Sequence, residues 1–158
     1  MPICNPSDLK RSLAIGQRLL GLDVGTKTIG MALSDTTLMV ATPLDTIRRK
    51  RFRDDVARLL EEIQRHHVGG IVVGLPLGLD GREGPRAQSV RQFAKNLLAH
   101  ADLPLAFWDE RLSTAAVERQ MIEADLSRRR RAAIIDRAAA AYIMQGLLDR
   151  IGRPPASE

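Results

Sequence analysis

Three acidic sites in this sequence fall where a carboxylate is costly. Asp23 interrupts the apolar run "LLGLDVG", Asp109 and Glu110 follow the apolar "LPLAFW", and Asp136 stands in "AAIIDRAAAAYIM", where residues 139, 140, 143 and 147 are all apolar. An ionised carboxylate in such surroundings costs several kcal/mol or more unless a turn amide, a cation or a metal compensates it. Taken singly, Asp23 reads as a turn former whose side chain bonds amides two residues on, and Asp136 as an acid favoured in the first turn of a helix. Taken together they point elsewhere. Carboxylates converging from separate elements repel one another, and a divalent cation relieves that repulsion. Hard oxygen donors suit Mg²⁺ or Mn²⁺, and three or four of them can hold one or two ions for in-line attack on a phosphodiester. His66 and His67 are not set among other ligand types, so zinc has little support. Because neighbouring strand residues face opposite ways, Asp109 and Glu110 do not both enter such a site unless the strand has already ended.

The charge balance suggests what is held there. The chain carries a formal net charge of +5 with 24 basic residues, of which only Lys10, Lys27, Lys50 and Lys95 are lysine. A polyanion is the natural partner, since each phosphate neutralised releases counterions, and the planar arginine fork suits phosphate better than an ammonium does. An arginine-biased genome explains the count equally well, so position matters more. Two clusters stand out, Arg48-Arg49-Lys50-Arg51-Phe52-Arg53 and Arg128-Arg129-Arg130-Arg131. Each alone reads as a solvated loop. Phe, Trp and Tyr make up 3% of the chain, which leaves little for stacking on unpaired bases.

Periodicity supplies the elements that must position these groups. Residues 18–24 and 29–34 read as a hairpin closed by Gly25-Thr26-Lys27-Thr28, and a strand over 40–47 with Pro43 implies a sheet edge or bulge. Val56, Leu59, Leu60 and Ile63 predict a helix over 53–66. The run 69–76 is a strand buried on both faces, followed by a Gly-rich loop over 77–85. A helix over 86–99, a strand over 103–108, a helix capped by Ser113 or Thr114 with Val117, Met121 and Ala124 on one face, and a last helix over 132–150 complete the order. This is an α/β domain with a mixed central sheet flanked by helices on both faces. The alanines at 138–141 let the last helix approach that sheet closely and carry Asp136 towards the strand ends.

The 158 residues, 44% of them hydrophobic, suffice for one domain with its own core. We expect a flexible, dispensable extension over 1–17, the domain over 18–150 and a disordered tail over 151–158. The single Cys4 forms no internal disulfide, and no window approaches the ~20 apolar residues of a membrane span, so a soluble cytoplasmic protein is expected.

The segments "LGLDVGTKTIGMALSD", "IVVGLPLGLDGREGPRA", "WDERLST" and "IIDRAAAAYIMQGLLD", in this order across residues 18–149, resemble the YqgF family, also called RuvX, of pre-16S ribosomal RNA nucleases or Holliday-junction-resolvase-like proteins. The resemblance implies a ribonuclease H-like fold and a metal-dependent endonuclease that matures the 5′ end of 16S rRNA. It also implies that Asp23, Glu110 and Asp136 are the catalytic acids, binding Mg²⁺ or Mn²⁺ with Asp109 as a further candidate ligand. Lys27, Arg82, Arg86, Arg111 and Arg128 to Arg131 then become candidate contacts to the nucleic-acid backbone. In the family the last helix is led by a mixed Lys and Arg segment, which here is all arginine.

Other readings share some of these residues. "GLDVGTKT" resembles the phosphate loop of the actin, Hsp70 and sugar-kinase ATPases, but those need two such domains about a cleft, and Thr26 stands where a P-loop requires glycine. Branched DNA is the alternative substrate, because fold alone does not choose one, and a homodimer would suit a junction better than a monomer. A non-catalytic module bound to RNA or to ribosomal particles would keep the basic surface and dispense with the acids.

Overall fold

The computed structural model describes residues 3–112 and 138–152 in full and the backbone of residues 128–137. Five strands form one sheet: β1 (Arg18–Val24), β2 (Thr28–Ser34), β3 (Ala41–Arg48), β4 (Val68–Leu75) and β5 (Leu105–Asp109), in the order β3-β2-β1-β4-β5. β1 runs antiparallel to β2, and β2 to β3, whereas β4 is parallel to both β1 and β5. β4 is buried along its whole length and β1 along all but Arg18, which is why both read as unbroken apolar runs. β3 is an edge strand, and its pairing with β2 shifts between Met31 and Ala32, so that Pro43 sits beside a bulge as its chemistry requires.

Alternation along the strands divides the core in two. Leu20, Leu22, Val24, Ile71, Val73 and Leu75 pack with α2 (Phe52–Arg65) and α3 (Pro85–Leu98) through Val56, Leu59, Val90, Phe93, Ala94 and Leu97. On the other face Leu19, Val72, Ala106 and Trp108 meet the long C-terminal helix, here α4 (Arg128–Gly152), through Ile143, Met144, Leu147 and Leu148. That helix lies very close to the sheet. A Cβ on Gly21 would come within 3.0 Å of Met144 Cε and 3.4 Å of the Ala140 carbonyl oxygen. Ala139, Ala140 and Ala141 are all buried, as their small side chains predicted.

Three features differ from the sequence reading. α4 begins at Arg128, so the arginine run belongs to its first turns, consistent with the good helix propensity of arginine. α4 also continues to Gly152 with Ile151 buried, so the expected tail does not start at 151. Finally, the described part of the expected flexible extension is packed. α1 (Pro6–Ser12) is capped by the Asn5 side chain accepting from Asp8 N at 3.0 Å, and its Leu9 is fully buried against Leu19 and Val72. Ile3 bridges Leu105, Cys4 N donates to the Leu105 carbonyl at 2.9 Å, and Lys10 Nζ donates to the Ile151 carbonyl at 3.2 Å. The helix expected after Ser113 or Thr114 and the residues from 153 onward lie outside the described residues. No described helix is long and apolar enough to cross a membrane.

Leu9 therefore makes the N-terminal segment part of the core. Leu9→Ala should destabilise the protein by about 2–5 kcal/mol, the cost of a buried leucine and its residual cavity, as read by chemical denaturation.

Candidate active site

Asp23 is the penultimate residue of β1 and is 8% exposed. Leu20, Leu22 and Val24 face α2 and α3, so alternation turns Leu19, Gly21 and Asp23 towards α4. Its cross-strand partner on β2 is Gly30, which adds no side chain there. On the other side Leu22 pairs with Val73, so Gly74 is the next residue of β4 at the level of Asp23. The space above Gly74 is filled by another acid. A Cβ on Gly74 would lie 2.8 Å from Glu110 Oε1 and 2.5 Å from Ile143 Cδ1. Glu110 therefore lays its carboxylate over the backbone of β4, on the α4 face, beside the strand that carries Asp23.

Asp109 goes the other way. β5 ends at Asp109 and a 3-10 turn (Glu110–Leu112) follows, so the two acids separate as strand alternation requires. Asp109 holds Arg111 in a bidentate pair, Nε to Oδ1 at 3.0 Å and Nη2 to Oδ2 at 2.6 Å, and also accepts from Arg111 N at 3.0 Å. Those side-chain hydrogen bonds from Arg111 hold the Asp109 carboxyl below the usual carboxylate range, against the opposing effect of its partial burial. Arg111 Nη1 in turn donates to the Leu79 carbonyl at 3.3 Å, which fastens the loop between β4 and α3 to the end of β5. Arg82 lies in that loop and is exposed, with Asp80 at 3.6 Å.

Asp136 belongs to α4, three and four residues before the buried Ala139 and Ala140; its side chain, like those of Arg128 to Arg131, lies outside the described residues. Among the described residues no three of His, Cys, Asp and Glu gather as a metal cluster, and the acids brought to one face are the pair Asp23 and Glu110.

Beyond Asp23 the chain turns through Gly25, Thr26 and Lys27 into β2, with Gly25 N donating to the Thr28 carbonyl at 2.8 Å. Two arginines grip this turn from outside. Arg49 Nη1 donates to the Gly25 carbonyl at 2.6 Å and Arg86 Nη2 to the Val24 carbonyl at 3.4 Å. Lys27 and Arg86 thus line one cleft at the β1–β2 turn, while Arg82 and Arg111 belong to the β4–α3 loop and its anchor. Sequence reasoning singled out the 48–53 cluster but did not bring it to the acids. The available signal was the hairpin arithmetic: a strand paired antiparallel to β2 must deliver its C-terminal end to the β1–β2 turn, and Thr28 does pair with Arg48.

Comparison with known proteins agrees with this geometry. The chain is 59% identical over 149 residues to the "Putative pre-16S rRNA nuclease" of Paramagnetospirillum magneticum, covering 94% of this chain and 96% of the relative. It is 60% identical over 133 residues to the protein of the same name from Ruegeria sp., covering 84% of this chain and 85% of the relative. Among solved structures, Thermus thermophilus RuvC in complex with a Holliday junction substrate superposes with a TM-score of 0.55 at 16% identity, over 86% of this chain and 96% of that one. At that identity the likeness shows the fold alone, and the fold is ribonuclease H-like, a mixed sheet with helices on both faces. Residues 17–150 match the family described as RuvX, Holliday junction resolvase, so the chain that sets Asp23 and Glu110 on one face of its sheet belongs to the RuvX family.

Proposed function

We propose that this chain is a cytoplasmic, divalent-metal-dependent endonuclease that processes the 5′ end of pre-16S ribosomal RNA, with Asp23, Glu110 and Asp136 as its catalytic acids. The observation that carries the reading is the Glu110 carboxylate over Gly74, at the level of the buried Asp23 and on the same face. Both groups are hard oxygen donors, which fits Mg²⁺ or Mn²⁺. Asp23, Glu110 and Asp136 would hold the ion, Asp136 on the strength of helical phase, since Ala139 and Ala140 bring that side of α4 onto the sheet. Asp109 would not, because its carboxylate is committed to Arg111. When bound, the ion supplies charge stabilisation at the phosphodiester and a lowered pKa for the attacking water.

The remaining work belongs to the chain itself. Ile143 closes on Gly74 from α4 and keeps bulk water from the base of the site. Lys27 and Arg86 would contact backbone phosphates, a role supported by the cleft that they line at the β1–β2 turn, as would Arg128 to Arg131, which lead the helix that carries Asp136. Arg111 acts indirectly, by fastening the loop that carries Arg82. The choice of RNA rests on relatives at 59% and 60% identity, whereas branched DNA is supported by the description of the matching family and by a likeness of fold.

The test is cleavage of a labelled 16S precursor and of a four-way DNA junction, with Mg²⁺, with Mn²⁺ and with chelator. Wild type should cut the precursor with either metal, and Asp23→Asn and Glu110→Gln should each lose more than about a hundredfold in rate, beyond the 10–100-fold cost of disturbing a ligand's supporting partners. Junction cleavage alone would overturn the RNA reading, and binding without cutting under every metal condition would overturn the enzyme. Gly74→Ala probes the geometry separately. Its Cβ should displace Glu110 and Ile143, cost about 1–3 kcal/mol in thermal or chemical denaturation, and reduce cleavage by more than that loss of folded protein accounts for.

A further inference from the structure

The basic run after β3 has no part in the function proposed so far. Arg48, Arg49, Lys27 and Arg86 line a cleft of about 710 Å³ together with Gly25, Thr26 and Thr28. A second hollow of about 520 Å³ continues it past Arg49, Lys50 and Arg86 to Ser89 on α3. Five cations thus border one concavity, and no carboxylate lines either part. Among the described residues Lys27, Arg48 and Lys50 make no ion pair, and all three are exposed. Asp54 and Asp55 share a neighbouring hollow with Arg48 and Lys50, but on the side of the β1–β2 turn the like charges meet no carboxylate and favour the entry of an anion.

The concavity is built rather than accidental. Arg49, at its centre, is half-buried and fixed on three sides: by the Gly25 carbonyl at 2.6 Å, by the Phe93 ring at 5.3 Å from its guanidinium carbon, and by Asp55 Oδ2 at 4.0 Å from Nε. Asp55 is 2% exposed, and its other oxygen accepts from Lys50 N at 3.1 Å; Oδ2 makes no hydrogen bond among the described residues. Arg49 N also donates to the Lys27 carbonyl at 2.9 Å. A single buried carboxylate therefore holds the Arg49-Lys50 segment, and Arg49 in turn grips the turn two residues after Asp23. Arg48 and Lys50 flank this clamp in the chain, with exposed side chains that border the concavity.

We propose that this concavity is a subsite for a non-scissile backbone phosphate of the nucleic-acid strand being cut, with Arg48 and Lys50 as its mobile cations and Arg49 as the residue that positions them. The assignment rests on the nuclease reading for the identity of the strand, but not for the binding of phosphate. The subsite sets which phosphate enters the acids by holding a neighbour in place.

The experiment is binding of a labelled 16S precursor fragment in chelator, followed across salt concentration. The subsite variant is Arg48→Gln with Lys50→Gln; the control of equal charge is Arg11→Gln with Arg150→Gln, two exposed arginines at the opposite end of the sheet. For a single strand the slope of log K against log salt should become shallower by about 1.4 in the subsite variant, about 0.7 for each phosphate no longer neutralised, and by much less in the control. With metal present the subsite variant should raise KM and leave kcat near wild type. Equal slope changes in the two pairs, or none in the subsite pair, would overturn the subsite. Competition separates the source of phosphate: if a free nucleoside triphosphate displaces the strand from wild type and from the subsite variant with equal potency, the concavity does not hold the backbone. Because the slope is read without catalysis, a wild type that cuts nothing sinks the nuclease reading and leaves the subsite decided on its own result. Loss of cleavage in Asp23→Asn with an unchanged slope in the subsite variant does the reverse.

Discussion

Glu110 reaches over β4 because residue 74 has no side chain. Any Cβ there would fall 2.8 Å from the Glu110 carboxylate and 2.5 Å from Ile143, so the glycine opens the space in which an acid from the turn after β5 can join an acid from β1. Most of the α4 face is organised around that space. Gly21, two residues before Asp23, admits Met144; Gly146 admits the Trp108 ring, with Nε1 2.9 Å from where a Cβ would stand; and the alanines 139 to 141 press the helix down. Larger residues would raise α4 off the sheet and open the space that Glu110 and Ile143 fill over Gly74. Close packing is thus the condition of the chemistry, since a slot that admits bulk water weakens every electrostatic interaction inside it.

The opposite face obeys a different constraint. There the strands and two helices form an ordinary aliphatic core, and the charged groups at its end are arranged by hydrogen bonds rather than by small residues. Asp109 and Arg111 tie the β4–α3 loop, while Asp55 and Arg49 tie the segment after β3 to the β1–β2 turn. Each tie joins a buried or half-buried acid to an arginine that also bonds a backbone carbonyl. This use of the guanidinium, with donors left over after the ion pair is made, explains why lysine would not serve at 49 or 111.

The sequence showed the strands more clearly than the geometry at their ends. Asp23 was legible because a carboxylate in an apolar run needs a reason, and β4 because eight nearly unbroken apolar residues fit no exposed element. Whether Asp109 or Glu110 turned inward was not, since that depends on where β5 stops, which periodicity places only to within a residue or two. The packing of α1 was hidden for another reason. A helix of 7 residues has no stability of its own, and only the burial of Leu9 against Leu19 and Val72 makes it form. The 48–53 cluster read as a solvated loop because its meaning comes from strand pairing, which joins residues about twenty apart in the chain.

Taken together, the two ends of this arrangement give the sheet a polarity that neither end has alone. The acids are few, Asp23 buried and Glu110 half-buried, and are supported by shape; the cations are numerous and mostly exposed, and Arg49 and Arg86 bond the backbone of the β1–β2 turn. A strand of nucleic acid meeting this surface is attracted over the whole basic rim but loses that attraction close to Asp23 and Glu110, where the charge is negative. A polyanion therefore lies on the rim and does not enter the slot unless cations accompany it. On the proposed reading this ordering follows from charge placement: binding to the rim would require no metal, and approach of a phosphodiester to the acids would.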